Sequence, residues 1–345
     1  MLQKLDKDFR ALNEFLSEKK FTKLFFLTDE NTHQHCLPLL LASLETDTPY
    51  EIIEIESGEG SKNIGTAIQL WEILTEFRAD RHSLLVNLGG GVITDLGGFA
   101  ASVYKRGIPF IHIPTTLLAM CDAALGGKTG IDHWSVKNLV GTFALPKAVF
   151  LYPEFLKTLE FRELRSGFAE MLKHGLIADR CHWQELIEIK TINSETLSPL
   201  IRRSMEIKNS IAAQDFQEKN IRKILNFGHT IGHAVESVFL AAGTPLAHGE
   251  AVAAGMMAEA KLAENLGLIN TPEMDEVSEN ILKFFPVPDL SLCENSDLIR
   301  LMQNDKKNRD RRISFSLIDG IGSCRYDVTA DDAQVEKALN FLRVI

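Results

Sequence analysis

No two cysteines in this 345-residue chain stand as CxxC, and the five present, Cys36, Cys121, Cys181, Cys293 and Cys324, are odd in number and scattered. That distribution argues against a disulfide framework or a thiolate zinc site and fits reduced thiols in a cytoplasm. Long apolar runs are missing too: no uncharged stretch approaches the ~18 residues that a membrane span needs. The opening MLQKLDKDFRALNEFL carries charges where a signal peptide has its apolar core, and reads as an amphipathic helix. Positive charge is in short supply, the net charge being −10. Nucleic acid is therefore not an expected partner, because phosphate binding needs a basic surface. A small anionic substrate needs cations gathered locally. There is no internal repeat and no low-complexity tract. With 45% hydrophobic and 24% charged residues the chain has an ordinary globular composition. At about 100–200 residues per domain its length implies two domains.

Two patterns alternate up to about residue 155. Short β-branched or aromatic runs occur at Leu24–Leu27, Glu51–Ile55, Leu84–Leu88, Phe110–Ile113 and Ala148–Leu151. Helix-period segments such as Asn63–Phe77 lie between some of them. Strands alternating with helices predict a parallel sheet covered on both faces. After Pro153 long helical patterns dominate, at Glu163–Ile177, Leu197–Gln214, Ile224–Phe239, Glu250–Leu266 and Thr271–Phe284, with one hairpin signal at Ile313–Val328 turning at Asp319-Gly320. The expectation is an α/β domain with a parallel sheet over residues 1–155 and a mostly α-helical domain over 156–345.

Two regions carry chemistry. The run Val86-Asn87-Leu88-Gly89-Gly90-Gly91-Val92-Ile93-Thr94-Asp95 is a strand entering a glycine turn and then a helix, with Asp95 expected in the first helical turn. Such a turn admits a pyrophosphate onto free helix N–H groups; it also serves a tight βα connection that needs positive φ. It lacks the last glycine of GxGxxG, since Thr94 stands there. Pro114-Thr115-Thr116 follows the next strand, and two polar strand ends side by side favour a nucleotide. In the helical half, Glu170, Lys173 and His174 share one helix face at i, i+3 and i+4, His229 and His233 share another at i, i+4, and His248-Gly249-Glu250 precedes a further helix. Imidazole and carboxylate are the ligands of open zinc sites. Each histidine alone also suits a core or surface role, and without HExxH a metalloprotease reading is weak.

Together these segments resemble the 3-dehydroquinate synthase family. The matching stretches are NLGGGVITDLGGFAASVYKRG, IPTTLLAMCDAALGGKTGID, SGFAEMLKHGLIAD, NFGHTIGHAVE, LAHGEAVAAGM and NDKKN, in the family's order and spacing over nearly the whole chain. The resemblance implies an NAD-binding α/β domain, a helical metal- and substrate-binding domain, an active site in the cleft between them, and a homodimer. It implies Zn2+ held by Glu170, His229 and His248, with Co2+ also able to fit such a set. Helical spacing alone would have taken His233 as a ligand; the family pattern places His233 in the substrate pocket. That pocket would also take Asp122, Lys128, Asn138, Lys173, Lys208, Arg222, Asn226 and one of Lys306 and Lys307. The NAD pocket would take Asp29, Glu59, Lys62, Gly89, Gly90, Gly91, Asp95, Thr115, Thr116, Leu118, Lys137, Thr158 and Glu163. Arg106 would reach the site of the neighbouring subunit. Two departures stand out: Val136 where the family has glycine before Lys137-Asn138, and Lys219-Asn220-Ile221 before Arg222 where a double glycine is usual.

The activity implied is closure of 3-deoxy-D-arabino-heptulosonate 7-phosphate to 3-dehydroquinate and phosphate, in the shikimate route to aromatic amino acids. Transient oxidation by NAD acidifies a C–H, phosphate leaves, the ketone is reduced again, and an intramolecular aldol closes the ring. Lys128, Lys208, Arg222 and the borrowed Arg106 would neutralise the phosphate, with Asn138 as a neutral donor. Lys173 and a lysine of the 306–307 pair would meet the carboxylate, Asp122 would orient Lys128 or the nicotinamide, and His233 would move protons. The competing readings are another sugar-phosphate cyclase, such as 2-deoxy-scyllo-inosose synthase, a metal-dependent polyol dehydrogenase, and a binding module that has lost catalysis.

Overall fold

The structure, a computed structural model, describes residues 2–4, 8–134, 136–303 and 312–345. The chain divides into two compact units, Met1–Glu160 and Phe161–Ile345. Among the described residues no helix is long and apolar enough to cross a membrane.

The first unit runs β1 (Leu2–Lys4), α1 (Arg10–Lys19), β2 (Leu24–Asp29), α2 (Glu30–His35), α3 (Leu37–Ala42), β3 (Tyr50–Ile55), α4 (Ile64–Glu76), β4 (Leu84–Gly89), α5 (Gly91–Val103), β5 (Phe110–Pro114), β6 (Lys128–His133), β7 (Val136–Phe143) and β8 (Val149–Leu151). Its sheet has the order β1-β8-β5-β4-β2-β3, and the strand pairings are parallel. The central strands β2, β4 and β5 are buried almost end to end, which is why they read as unbroken apolar runs. Phe25, Leu27, Leu85, Ile93, Leu96, Ala100 and Phe110 share one core. Gly97 and Gly98 let α5 lie close: a Cβ on Gly98 would sit 2.5 Å from Thr129 Cγ2 of the β6–β7 hairpin. The opening segment departs from expectation. Leu2–Lys4 is an edge strand paired with β8, and the helix begins only at Arg10, after Phe9 turns into the left-handed region at φ 51°.

The second unit runs α6 (Phe161–Ala178), α7 (Arg180–Ile187), α8 (Ser194–Gln214), α9 (His229–Ala241), α10 (His248–Asn265), α11 (Thr271–Leu282), α12 (Asn295–Gln303), β9 (Ile313–Ile318), β10 (Cys324–Ala330) and α13 (Asp332–Leu342). Helix α10 is its axis. Its residues 251–258, AVAAGMMA, are all buried, and it packs on α6, α9, α11, α13 and β9. A helix apolar all round belongs in the middle of such a stack. The expected helix Ile224–Phe239 is broken. Ile221–Asn226 is a 3-10 turn, Gly228 takes φ 80°, and α9 starts afresh at His229. Only glycine takes that φ freely.

Candidate functional site

In the first unit, strand register builds the glycine turn. Gly89 pairs with Pro114 at the carboxyl ends of β4 and β5, and the Thr115 N–H donates to the Gly89 carbonyl at 3.0 Å. Gly89–Gly91 and Thr115–Thr116 thus form one rim. The chain steps outward from β2 to β3, returns to β4, and continues to β5 on the other side. The rim and Asp29, which ends β2, therefore flank the point where strand order reverses, the usual ligand position in open parallel sheets.

None of the three glycines has positive φ, so a tight-turn requirement does not account for them. A Cβ on Gly89 would overlap Ile93, and one on Gly90 would lie 3.0 Å from Thr116 Cγ2. A Cβ on Gly91 would meet nothing closer than Ala123 Cβ at 3.5 Å. Gly91 has room for a side chain, so packing within the unit does not account for its bareness. Gly90 caps α5 without a side-chain hydrogen bond, which leaves first-turn N–H groups open to an anion. These features fit a pyrophosphate.

Asp95 is not in the first turn of α5, as the sequence reading placed it; the helix already starts at Gly91. One turn further in, Asp95 meets Lys62 Nζ at 2.7 Å, and Glu59 lies 3.6 Å from the same ammonium. Burial pushes Lys62 down, but Asp95 and Glu59 outweigh it and raise it above the usual lysine value. Behind them the Asp132 N–H donates to the Lys62 carbonyl at 2.8 Å, and Asp132 Oδ1 accepts from the Asn138 N–H at 2.7 Å. This ties Lys62 to the hairpin bearing Lys128, Lys137 and Asn138. Asn138 has φ 52°, which asparagine tolerates, whereas Val136 has no positive φ and is exposed, so no glycine is needed there. Leu118 and Asp122 are half-buried, Asp122 in a π-turn at Ala119–Ala123. Lys128 is exposed at the start of β6, and the exposed Thr158 donates its hydroxyl to the Phe155 carbonyl at 3.1 Å. Arg106 is exposed ahead of the amino end of β5 and is the second of two left-handed residues in a row, Lys105 at φ 50° and Arg106 itself at 67°.

The second unit gathers side chains from several helices. Glu170 lies mid-way along α6, His229 at the first residue of α9, and His248 at the first residue of α10. One ligand atom from each lies within 4.8 Å of the others. Glu170 Oε1 is 3.5 Å from His229 Nε2 and 3.3 Å from His248 Nε2. Glycines make this approach possible. The Gly249 N–H donates to Ser166 Oγ at 2.9 Å, and a Cβ on Gly249 would collide with the Ser166 backbone, so α10 starts directly against α6. A Cβ on Gly232 would lie 2.9 Å from the Ala251 carbonyl, which holds α9 equally close to α10.

Glu170 is fully buried and ion-paired with Lys173, one turn along. Burial alone would push its carboxyl up; Lys173 and His229 hold it well below the usual carboxylate range. Burial and Lys173 drive His229 well below the usual histidine value. Burial would lower His248 too, but Glu170 and Glu236 raise it to about 9. A carboxylate facing two imidazole nitrogens, with an ammonium behind it, is a donor set suited to a divalent cation.

His233 is exposed, its ring 5.1 Å from that of His229, and it forms a second close set with Glu236 and His248. Lys173, Lys208 and Arg222 are buried, on α6, α8 and the 3-10 turn respectively, and that turn packs on both helices. Glu163 is exposed in the first turn of α6. Arg222 is held by the segment that departs from the family pattern. Asp215 accepts the N–H groups of Lys219, Asn220 and Arg222 at 3.0, 2.6 and 3.2 Å. The left-handed residue is Glu218, at φ 57°, so neither Lys219 nor Asn220 needs to be glycine. Glu218 in turn accepts from Asn226 Nδ2 at 2.9 Å. Lys306 and Lys307 lie outside the described residues. Sequence reasoning missed Glu236, although it follows His233 at i+3, and missed Ser166, Asp215 and Glu259, whose partners are backbone groups that no side-chain pattern announces.

Comparison with known proteins decides the family. The family model for the 3-dehydroquinate synthase N-terminal region matches residues 52–166, and that for the C-terminal region matches 167–308. The 3-dehydroquinate synthase of Parabacteroides distasonis is 41% identical over 98% of this chain and 96% of its own length. The chain belongs to the 3-dehydroquinate synthase family. The family fold extends to related cyclases. A 2-epi-5-epi-valiolone synthase from Streptomyces hygroscopicus, solved with NAD+ and Zn2+ bound, superposes with a TM-score of 0.84 at 27% identity, over 99% of this chain and 95% of that one. A 2-deoxy-scyllo-inosose synthase, complexed with carbaglucose-6-phosphate, NAD+ and Co2+, does so at 0.83 and 23% identity, over 98% and 95%. The latter likeness is one of fold.

Proposed function

We propose that this member of the 3-dehydroquinate synthase family converts 3-deoxy-D-arabino-heptulosonate 7-phosphate to 3-dehydroquinate and phosphate. The observation that carries the reading is the meeting of Glu170, His229 and His248 within 4.8 Å beside Lys173, in a chain whose other unit has an open glycine cradle. Residues 1–155 would take NAD, with Gly89, Gly90 and Gly91 at the pyrophosphate. Residues 156–345 would take the divalent metal, Zn2+ or Co2+, and the anionic sugar phosphate. When bound, NAD+ supplies reversible hydride transfer and the metal ion acidifies a carbinol hydroxyl.

The chain's own residues do the rest. Lys173 fixes Glu170 as a carboxylate, so one anionic ligand stays in place. Lys208 and Arg222, both buried, offer fixed positive charge to the leaving phosphate, where a charge-assisted contact is worth most. His233, exposed beside His229, is the group we assign to accept and return a proton. The five free cysteines suit a cytoplasmic setting.

Supplying the heptulosonate phosphate with trace NAD+ and metal tests the reading. Phosphate is expected over many turnovers with no accumulation of NADH. Stoichiometric NADH would instead mark a polyol dehydrogenase, and turnover of a carboxylate-free hexose phosphate would mark a different cyclase.

The assembly belongs to the same proposal. Arg106, at the amino end of β5, is on the side of the sheet away from the carboxyl-end rim. A homodimer would let it serve the partner subunit's site, since an isologous interface donates the same group both ways. Arg106→Ala homodimers should be nearly inactive. Mixing them with His229→Ala subunits should restore a fraction of wild-type activity. Mixed dimers that form, by mass, without activity would rule out the trans role.

A further inference from the structure

Glu259, on α10, is completely buried, and both its oxygens accept backbone N–H groups at the start of α9. Oε2 takes the Gly228 N–H at 2.6 Å and Oε1 takes that of Ile231 at 3.0 Å. Gly228 is the N-cap of α9 and has no side chain with which to do this itself. A neighbouring helix therefore caps α9, and Gly255 allows it: a Cβ there would lie 2.7 Å from the Gly232 nitrogen and would overlap the Gly228 carbonyl.

The same peptide has a second duty. The amide joining Phe227 to Gly228 gives its N–H to Glu259 and turns its carbonyl to His229 Nδ1 at 3.1 Å. A carbonyl can only accept, so Nδ1 carries the proton. Nε2 then keeps its lone pair and faces Glu170 Oε1 at 3.5 Å. Metal-binding histidines commonly give their second N–H to a carboxylate or carbonyl, which sets the tautomer and aim of the ring. Here carbonyl and carboxylate act in series: negative charge on Glu259 polarises the amide, and the amide holds the imidazole.

We infer that Glu259 is a positioning residue for the metal centre, acting on His229 through the Phe227–Gly228 peptide. The inference rests on Glu170, His229 and His248 being the metal ligands. A cap that only stabilised α9 would cost melting temperature and leave the affinity of the folded protein unchanged. Positioning predicts a change in the affinity itself.

The experiment measures Zn2+ affinity by chelator competition, and the visible spectrum of the Co2+-loaded protein, in full-length wild type, Glu259→Gln and Asn270→Ala. The last removes the side-chain cap of α11, which bears none of the site residues. Glu259→Gln keeps one acceptor and turns an NH2 toward the other N–H. It is expected to weaken Zn2+ binding by ~10- to 100-fold and to shift the Co2+ spectrum. Asn270→Ala should lower melting temperature alone. A folded Glu259→Gln protein with wild-type affinity and spectrum overturns the inference. A wild type that binds no metal, or a Glu170→Ala variant that binds it as tightly as wild type, overturns the ligand assignment instead. Should Glu259→Gln not fold, the wild-type protein decides. In its Co2+ form, with the histidine rings labelled with 15N, the His229 Nδ1–H is expected as a hyperfine-shifted, slowly exchanging proton resonance coupled to 15N; absence of that resonance refutes the carbonyl contact and the inference with it.

Discussion

The two units build their candidate sites by opposite means. In the first, the candidate surface is mostly backbone. Gly89–Gly91 and Thr115–Thr116 come together because β4 and β5 are in register, and the open groups are N–H groups at the start of α5. In the second, the surface is side chain. Glu170, His229 and His248 come from three helices, and glycines at 228, 232, 249 and 255 hold those helices close enough for the side chains to meet. A backbone site needs only local sequence and one strand pairing. A side-chain site needs helices held close together, and here that approach depends on residues such as Ser166 and Glu259, which accept backbone N–H groups of a neighbouring helix. The second site is accordingly the more fragile to single substitutions.

The largest effect expected from that difference is at the ligands. Glu170→Ala or His229→Ala should abolish tight metal binding and activity, since two remaining protein ligands hold a divalent ion poorly. Both variants should keep their secondary structure, and His229→Ala the more easily, because Glu170→Ala strands the buried Lys173 ammonium. Metal analysis and circular dichroism on the purified variants check this. A full equivalent of metal retained in both would remove these residues from the site.

The backbone site responds differently. Gly91→Ala places a Cβ 3.5 Å from Ala123, an ordinary contact, and relieves the entropic cost of glycine in a helix. Melting temperature should hold or rise slightly while NAD+ affinity, read by titration calorimetry, falls by at least ~10-fold, or about 1.4 kcal/mol. Gly89→Ala should instead destabilise the unit, because its Cβ would overlap Ile93. If Gly91→Ala bound NAD+ as wild type does, the bareness of Gly91 would have nothing to do with the cofactor.

This contrast also marks how far the sequence could be read. The parallel sheet was legible because β2, β4 and β5 are buried on both faces and so appear as apolar runs, and the glycine turn was legible because it is contiguous. The three residues of β1 and the hairpin β6–β7 were not. The first is too short to show a period, and β7 is mostly exposed, so it has no apolar face to alternate. Periodicity ran straight through Gly228 and predicted one helix from Ile224, because a single left-handed residue interrupts the chain without interrupting the apolar pattern. Helical spacing paired His229 with His233. Which histidine sits beside Glu170 depends on how α10 starts against α6, a tertiary fact that only the family pattern anticipated.

The last effect expected, a change with pH and not a loss of function, separates the units by their buried ionisable groups. Glu170 and Lys173 are buried as an ion pair in the second unit. In the first, His112 on β5 is buried as a neutral ring, with Asn87 Nδ2 donating to its Nδ1 at 3.2 Å. Burial drives its value from 6.5 down to about 3. Between those values the unfolded chain takes up a proton that the folded unit refuses, so stability falls as pH falls. The contribution is fully present above pH ~6.5 and is progressively lost toward pH ~3. From pH 7 to pH 5 the loss from this residue is about 2 kcal/mol. Hydrogen exchange of β4 and β5 amides should show it as a fall in opening free energy between those two pH values. His112→Gln, which keeps a polar partner for Asn87 but cannot titrate, should flatten the dependence, at some cost in stability at pH 7. An equal pH slope in wild type and variant would mean that His112 takes up its proton within the folded sheet, and that the centre of the α/β unit tolerates charge as the helical unit does.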